Sequence, residues 1–204
     1  MSLLKKNRGI VLRTTKYSES DLIVQMILIS GEKVSLLARG AVKSKKRFGG
    51  GVLEPTHYIE IMFRPGQGEK LSVLQEATML DAFPGLRTDY EKLEIAFFCL
   101  TTIGKISQEG DGHSEGLFNL LGHALRELQE AKNFDIFKTA FTLKALHQQG
   151  VLEIEPWMSP FLKSSLAQVV SNENNIPLNK VQAAGLQSQL THYLQTAGTH
   201  YSSF

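Results

Sequence analysis

Between Arg39 and Gly51 the chain reads RGAVKSKKRFGGG, and its residue types there could do chemistry. Arg39, Lys43, Lys45, Lys46 and Arg47 place five cations within nine positions, with glycines around them and Phe48 directly after. Cations so grouped neutralise phosphates and release condensed counterions, which gives affinity without sequence readout. Phe48 is expected to offer a stacking face to an unpaired base. The glycines would let backbone amides come close to phosphates. The plain alternative is a solvated charge run with Phe48 packed on its own domain. Arg13, Lys16, Lys33 and Arg64 could extend the same surface, although singly each is more often a solvated charge.

Other chemistry finds no foothold. Pro65-Gly66-Gln67-Gly68-Glu69-Lys70 lacks the spacing of a phosphate loop and joins two apolar runs, so it reads as a hairpin turn. His57, His113, His123, His147, His192 and His200 have no metal-ligand spacing. Cys99 is the one cysteine and lies between Phe98 and Leu100, where a thiol behaves as a small hydrophobe. No nucleophile elbow occurs. The chain therefore reads as non-enzymatic, with no catalytic residues, no cofactor and no metal.

The elements that must position the basic loop follow from periodicity. Gly9–Thr15, Leu22–Ser30, Val34–Ala38, Val52–Phe63 (most clearly Tyr58–Phe63) and Leu71–Met79 are β-branched or alternating runs separated by polar or Gly/Pro turns. Five short strands within about 80 residues fit a small closed barrel, for which the OB-fold is the commonest solution, with an SH3-like barrel as the alternative. Residues 1–80 hold 13 Lys+Arg against 7 Asp+Glu, and residues 81–204 hold 9 against 13. That asymmetry points to a polyanion partner for the first part.

Phe83-Pro84-Gly85 breaks the chain, and the expected division is residues 1–81 as barrel and 82–204 as an all-α helical domain. Helical spacing runs over residues 89–107, with Leu93, Ala96, Phe97, Leu100 and Ile103 as its apolar face. After the loop Glu109-Gly110-Asp111-Gly112, Ser114 is expected to cap a second helix to residue 131, and a third covers 135–149 before Gly150. A short helix at 160–170 and a last one at 179–196 complete the expected α+β, two-domain architecture. Trp157 and Met158 are expected to plug the core, with an exposed partner site as the alternative. No apolar run approaches the ~18 residues of a membrane span. No secretory leader is read at the start, and a reducing cytoplasmic setting is expected.

The series Gly9-Ile10-Val11-Leu12-Arg13, Tyr17-Ser18-Glu19-Ser20-Asp21-Leu22, Ala38-Arg39-Gly40-Ala41 and Lys46-Arg47-Phe48-Gly49-Gly50 resembles the bacterial RecO family of DNA-repair proteins. Leu53-Glu54-Pro55 and Asp81-Ala82-Phe83-Pro84-Gly85-Leu86-Arg87 continue the match. The resemblance is specific over residues 8–95. Beyond them only helical character and the stretch from Leu146 to Glu155 are family-like.

The resemblance implies an OB domain followed by a helical bundle, and nucleoid-associated binding to single- and double-stranded DNA. It also implies annealing of complementary strands and partnership with RecR and with the tail of single-stranded-DNA-binding protein. The outcome would be RecA loading in DNA repair and recombination. Two departures stand out. Pro156-Trp157-Met158 follows Glu155 with no cysteines, where many members carry a zinc module, and Val42 occupies a position that is often basic. Two other roles compete. One is an adaptor whose helical half takes the tail of single-stranded-DNA-binding protein in a groove rimmed by Arg126, Lys132 or Lys144. The other is an OB-fold RNA-binding protein.

Overall fold

The computed structural model describes residues 3–68, 70–107, 109 and 115–197. The chain divides into two compact units, one of residues 1–83 with 107–118 and one of residues 84–106 with 119–204. The expected boundary is at residue 81; here the described residues of 107–118 group with the first unit. The expected loop at 110–112, the Ser114 cap, His113, His200 and Glu69 lie outside the described residues.

The first unit is a closed barrel of five strands: β1 (Lys5–Lys16), β2 (Leu22–Leu28), β3 (Lys33–Ala38), β4 (Tyr58–Arg64) and β5 (Ser72–Asp81). The order round the barrel is β1-β2-β3-β5-β4, with the β3–β5 pair parallel and the others antiparallel. This is the OB-fold topology. Strand alternation sends Val24, Met26 and Leu28 inward, and with them Val11, Leu36, Ile59, Ile61 and Leu74, to form one apolar core. A bulge at Leu12 shifts the β1–β2 register between Val11 and Arg13, which re-aims the second half of β1.

A second row points outward. Tyr58, Ile10, Ile27 and Lys33 are successive cross-strand partners. Two later residues meet this row: Phe118 packs on Tyr58 with ring centroids 5.9 Å apart, and Glu109 bridges to Lys33. Glu109 also accepts the Ser35 hydroxyl at 2.7 Å. Ile10 and Ile27, between Tyr58 and Lys33 in this row, are buried although they are not in the barrel's core cluster.

The second unit is helical. Its elements are α1 (Tyr90–Ile106), α2 (Glu115–Leu128, from residue 119 onward), α3 (Phe134–Gln148), α4 (Ser159–Lys163), α5 (Leu166–Ser171) and α6 (Lys180–Ala197). α3 buries Ile136, Phe137, Ala140, Phe141, Leu143 and Leu146 around its whole circumference, as a central helix must. α1, α4, α5 and α6 pack on it. The Asn133 side chain caps α3 by accepting the Ile136 N–H at 3.2 Å, and Gly150 follows its end with φ 68°.

Two expectations about this unit need correction. Phe97 is not on the buried face of α1; it is 44% exposed, because that face runs through Ile95, Ala96, Cys99, Leu100, Ile103 and Ile106. The single helix expected over 160–170 is two helices, because Ser165 starts a new one with a reciprocal capping box to Gln168. Met158 is buried, and Trp157 packs edge-on against Phe161 at 6.3 Å. No helix among the described residues is long and apolar enough to cross a membrane.

Candidate nucleic-acid interface

The long connection between β3 and β4 is a plug. Ala41, Phe48, Val52 and Leu53 enter the same apolar core as the barrel strands, so the connection closes one end of the barrel. Backbone ties fix it in place. Val42 N–H donates to Ser20, Ala77 N–H in β5 donates to the Arg47 carbonyl at 3.3 Å, and the Thr14 hydroxyl donates to Leu53. Gly40 takes φ 64°, which only glycine adopts without strain, and its N–H donates to the Asp21 carboxylate. At Gly49 a Cβ would collide with the Lys45 carbonyl oxygen, so only glycine lets the chain fold back and bury Phe48.

Burying the apolar residues forces the charged ones out. Arg39, Lys43, Lys45, Lys46 and Arg47 are all exposed. Among the described residues none of the five has a carboxylate within ion-pair distance, whereas Glu60 holds Lys6 at 2.8 Å and Arg8 at 3.1 Å. Glu60 is thus shared by Lys6 and Arg8 on the β1–β4 face, one negative charge against two positive ones. Its carboxyl is held below the ordinary value by the hydrogen bond from Lys6 first and then that from Arg8. Among the described residues the cations of the plugged end have no carboxylate at ion-pair distance, while two on the β1–β4 face share one.

The expected stacking role of Phe48 is corrected here. Its ring is 6% exposed within the barrel core, and the Arg47 guanidinium lies over it at 5.1 Å. A ring in that position has no open face for a base.

The remaining expected contacts divide by register. Lys16 is cross-strand from Leu22, which pairs with Ala38, so Lys16 emerges beside the start of the basic loop. Thr15, Ile23, Leu37, Val73 and Arg64 form one outward row across all five strands, with Arg64 at its far end. Arg13 is exposed two residues before Thr15, in the row of Gln25 and Ser35. Lys33 stands apart. It is half-buried and faces Glu109, and burial lowers its pKa more than Glu109 raises it.

Of the expected groove residues, Arg126 lies in the last turn of α2, and Lys132 and Lys144 serve different neighbours. Lys132 precedes α3 and Lys144 lies within it, with about 15 Å of helix axis between Phe134 and Lys144 at 1.5 Å per residue. Lys144 is spent on the Ser164 carbonyl, to which its Nζ donates at 2.6 Å, and burial lowers its pKa. Lys132 borders a cleft of about 340 Å³ that also holds Glu91, Asp135 and Glu173, a poor lining for an acidic peptide. In that cleft Glu173 is buried and accepts the N–H groups of Lys132 and Asn133 at 3.0–3.2 Å.

Sequence reasoning missed Asp21, the anchor of the loop. Its carboxylate accepts Gly40 N–H at 2.8 Å and is held below its ordinary value, first by that bond and least by the charge of Arg39. The signal was present in Ser18-x-Ser20-Asp21, whose hydroxyl and carboxylate acceptors favour a turn.

The fold and the loop together define an OB-barrel domain with exposed cations on its β3–β4 connection. Residues 1–83 match the family described as recombination protein O N terminal, and they are a RecO-family N-terminal domain. The chain is also similar to DNA repair protein RecO of Maridesulfovibrio salexigens, 32% identical over 143 residues, which are 69% of this chain and 56% of that protein. Against RecO of Anaeromyxobacter dehalogenans the identity is 33% over 147 residues, 72% of this chain and 57% of that protein. RecO of Exiguobacterium sp. is 29% identical over 152 residues, 74% and 59% of the two chains. The matches span a little over half the length of these curated relatives.

Proposed function

We propose that the protein is a DNA-repair mediator that binds single-stranded DNA at the plugged end of its barrel and anneals complementary strands. One observation carries the reading: Lys43, Lys45 and Lys46 are exposed on a loop whose apolar residues anchor it in the core, and among the described residues no carboxylate pairs with them. Held cations of this kind neutralise the phosphates of two strands at once and so lower the repulsion that opposes annealing. The family of residues 1–83, and the names of the similar proteins, support DNA as the polyanion and repair as the setting. Double-stranded DNA would bind through the same backbone contacts. In this role the protein helps to load RecA onto DNA coated by single-stranded-DNA-binding protein, acting with RecR and with the tail of the coating protein. No catalytic turnover is required of it.

The test is annealing of complementary oligonucleotides by the wild type and by the Lys43→Ala/Lys45→Ala/Lys46→Ala variant. The account expects the variant to lose annealing and to bind single strands more weakly while keeping its thermal midpoint. Full annealing by the variant would remove the loop from the mechanism.

A further inference from the structure

The five loop cations are not equivalent, and Arg47 differs from the rest by its contacts. Its Nη2 donates to the Arg39 carbonyl at 2.9 Å. Its guanidinium lies over the buried Phe48 ring at 5.1 Å. Its N–H donates to the Ser44 hydroxyl at 3.3 Å and its carbonyl accepts Ala77 N–H at 3.3 Å. Lys43, Lys45 and Lys46 have no side-chain contacts of this kind among the described residues. The contacts of Arg47 therefore join the first residue of the basic run, Arg39, to the last, with the three lysines on the arc between.

We infer that Arg47 is a positioning residue: it staples the two ends of the loop across Phe48, and so sets how Lys43, Lys45 and Lys46 face a nucleic-acid backbone. This rests on the DNA-binding reading above and deepens it. The physical basis is the shape of the side chain. A guanidinium is planar, so one face can lie on an aromatic ring while an edge N–H reaches a carbonyl. A lysine ammonium carries the same charge but cannot do both. With the staple open, the arc from Gly40 to Lys46 gains conformations, and binding must then order it again.

Arg47→Lys and Arg47→Ala separate this role from simple charge. The full chain is titrated against fluorescein-labelled oligothymidylate across a salt series, and amide exchange is followed over residues 39–51. The inference expects Arg47→Lys to weaken binding about tenfold, close to the loss in Arg47→Ala, with its salt slope unchanged. It also expects faster exchange in the loop of both variants and unchanged exchange in β1 and β2. If Arg47→Lys binds and exchanges as the wild type does, the staple is refuted and Arg47 is an ordinary phosphate contact. Accelerated loop exchange with DNA affinity unchanged in both variants would overturn the positioning role. The DNA reading fails separately, if the triple lysine variant binds oligothymidylate as the wild type does.

Discussion

The Asp21 carboxylate accepts the Gly40 N–H at 2.8 Å, which ties the β1–β2 connection to the base of the basic loop. Two segments 19 residues apart are thereby held together where β3 ends and the cations begin. Because the folded Asp21 pKa lies below its ordinary 3.8, its contribution to stability is fully present above that value and is lost as the pH falls through the lowered one. Asp21→Asn is thus expected to lower the thermal midpoint at neutral pH, with wild type and variant converging in acid. A midpoint difference that persists undiminished well below pH 3.8 would contradict the assignment.

Phe48 is a core residue, and its truncation should behave as one. Phe48→Ala is expected to cost about 3–5 kcal/mol in urea unfolding, as loss of a buried phenylalanine does. A ring held out for bases would cost no more than about 0.5 kcal/mol.

Glu173 closes the start of α3 with a buried carboxylate. Glu173→Ala leaves the Lys132 and Asn133 N–H groups without that acceptor and is expected to destabilise the helical unit by about 1–2 kcal/mol. DNA affinity should stay at the wild-type value, since the residue belongs to the second unit. Circular dichroism on heating and a binding titration check the two halves of this expectation.

Cys99 is fully buried in α1, and desolvation pushes its thiol well above the ordinary range. Only the thiolate reacts, so iodoacetamide is expected to leave Cys99 unmodified at pH 8 in the native protein and to modify it once urea unfolds the chain. Rapid native labelling followed by mass spectrometry would show the burial to be wrong.

The strands were legible because their residues alternate or form short β-branched runs between turn residues, as in Leu22–Leu28 and Tyr58–Arg64. The basic loop was legible as composition, but its fold was not. Nothing in the spacing of Ala41, Phe48, Val52 and Leu53 has a period, since these residues reach one core through turns and not along one element. Phe48 was therefore read by its neighbours in sequence, the lysines, instead of its neighbours in space. Phe97 failed for a different reason: it lies four residues after Leu93, a spacing that fits a helical face adjoining the buried one equally well. Lys33 depends on Glu109, 76 positions later, and no local pattern reports such a pairing.

The most direct test of the central claim is the salt dependence of single-strand binding by the Lys43→Ala/Lys45→Ala/Lys46→Ala variant. If the three lysines each neutralise a phosphate, the slope of log K against log salt becomes shallower by about 2, from ~0.7 per lost contact. A slope equal to that of the wild type would show that DNA is held elsewhere on the molecule.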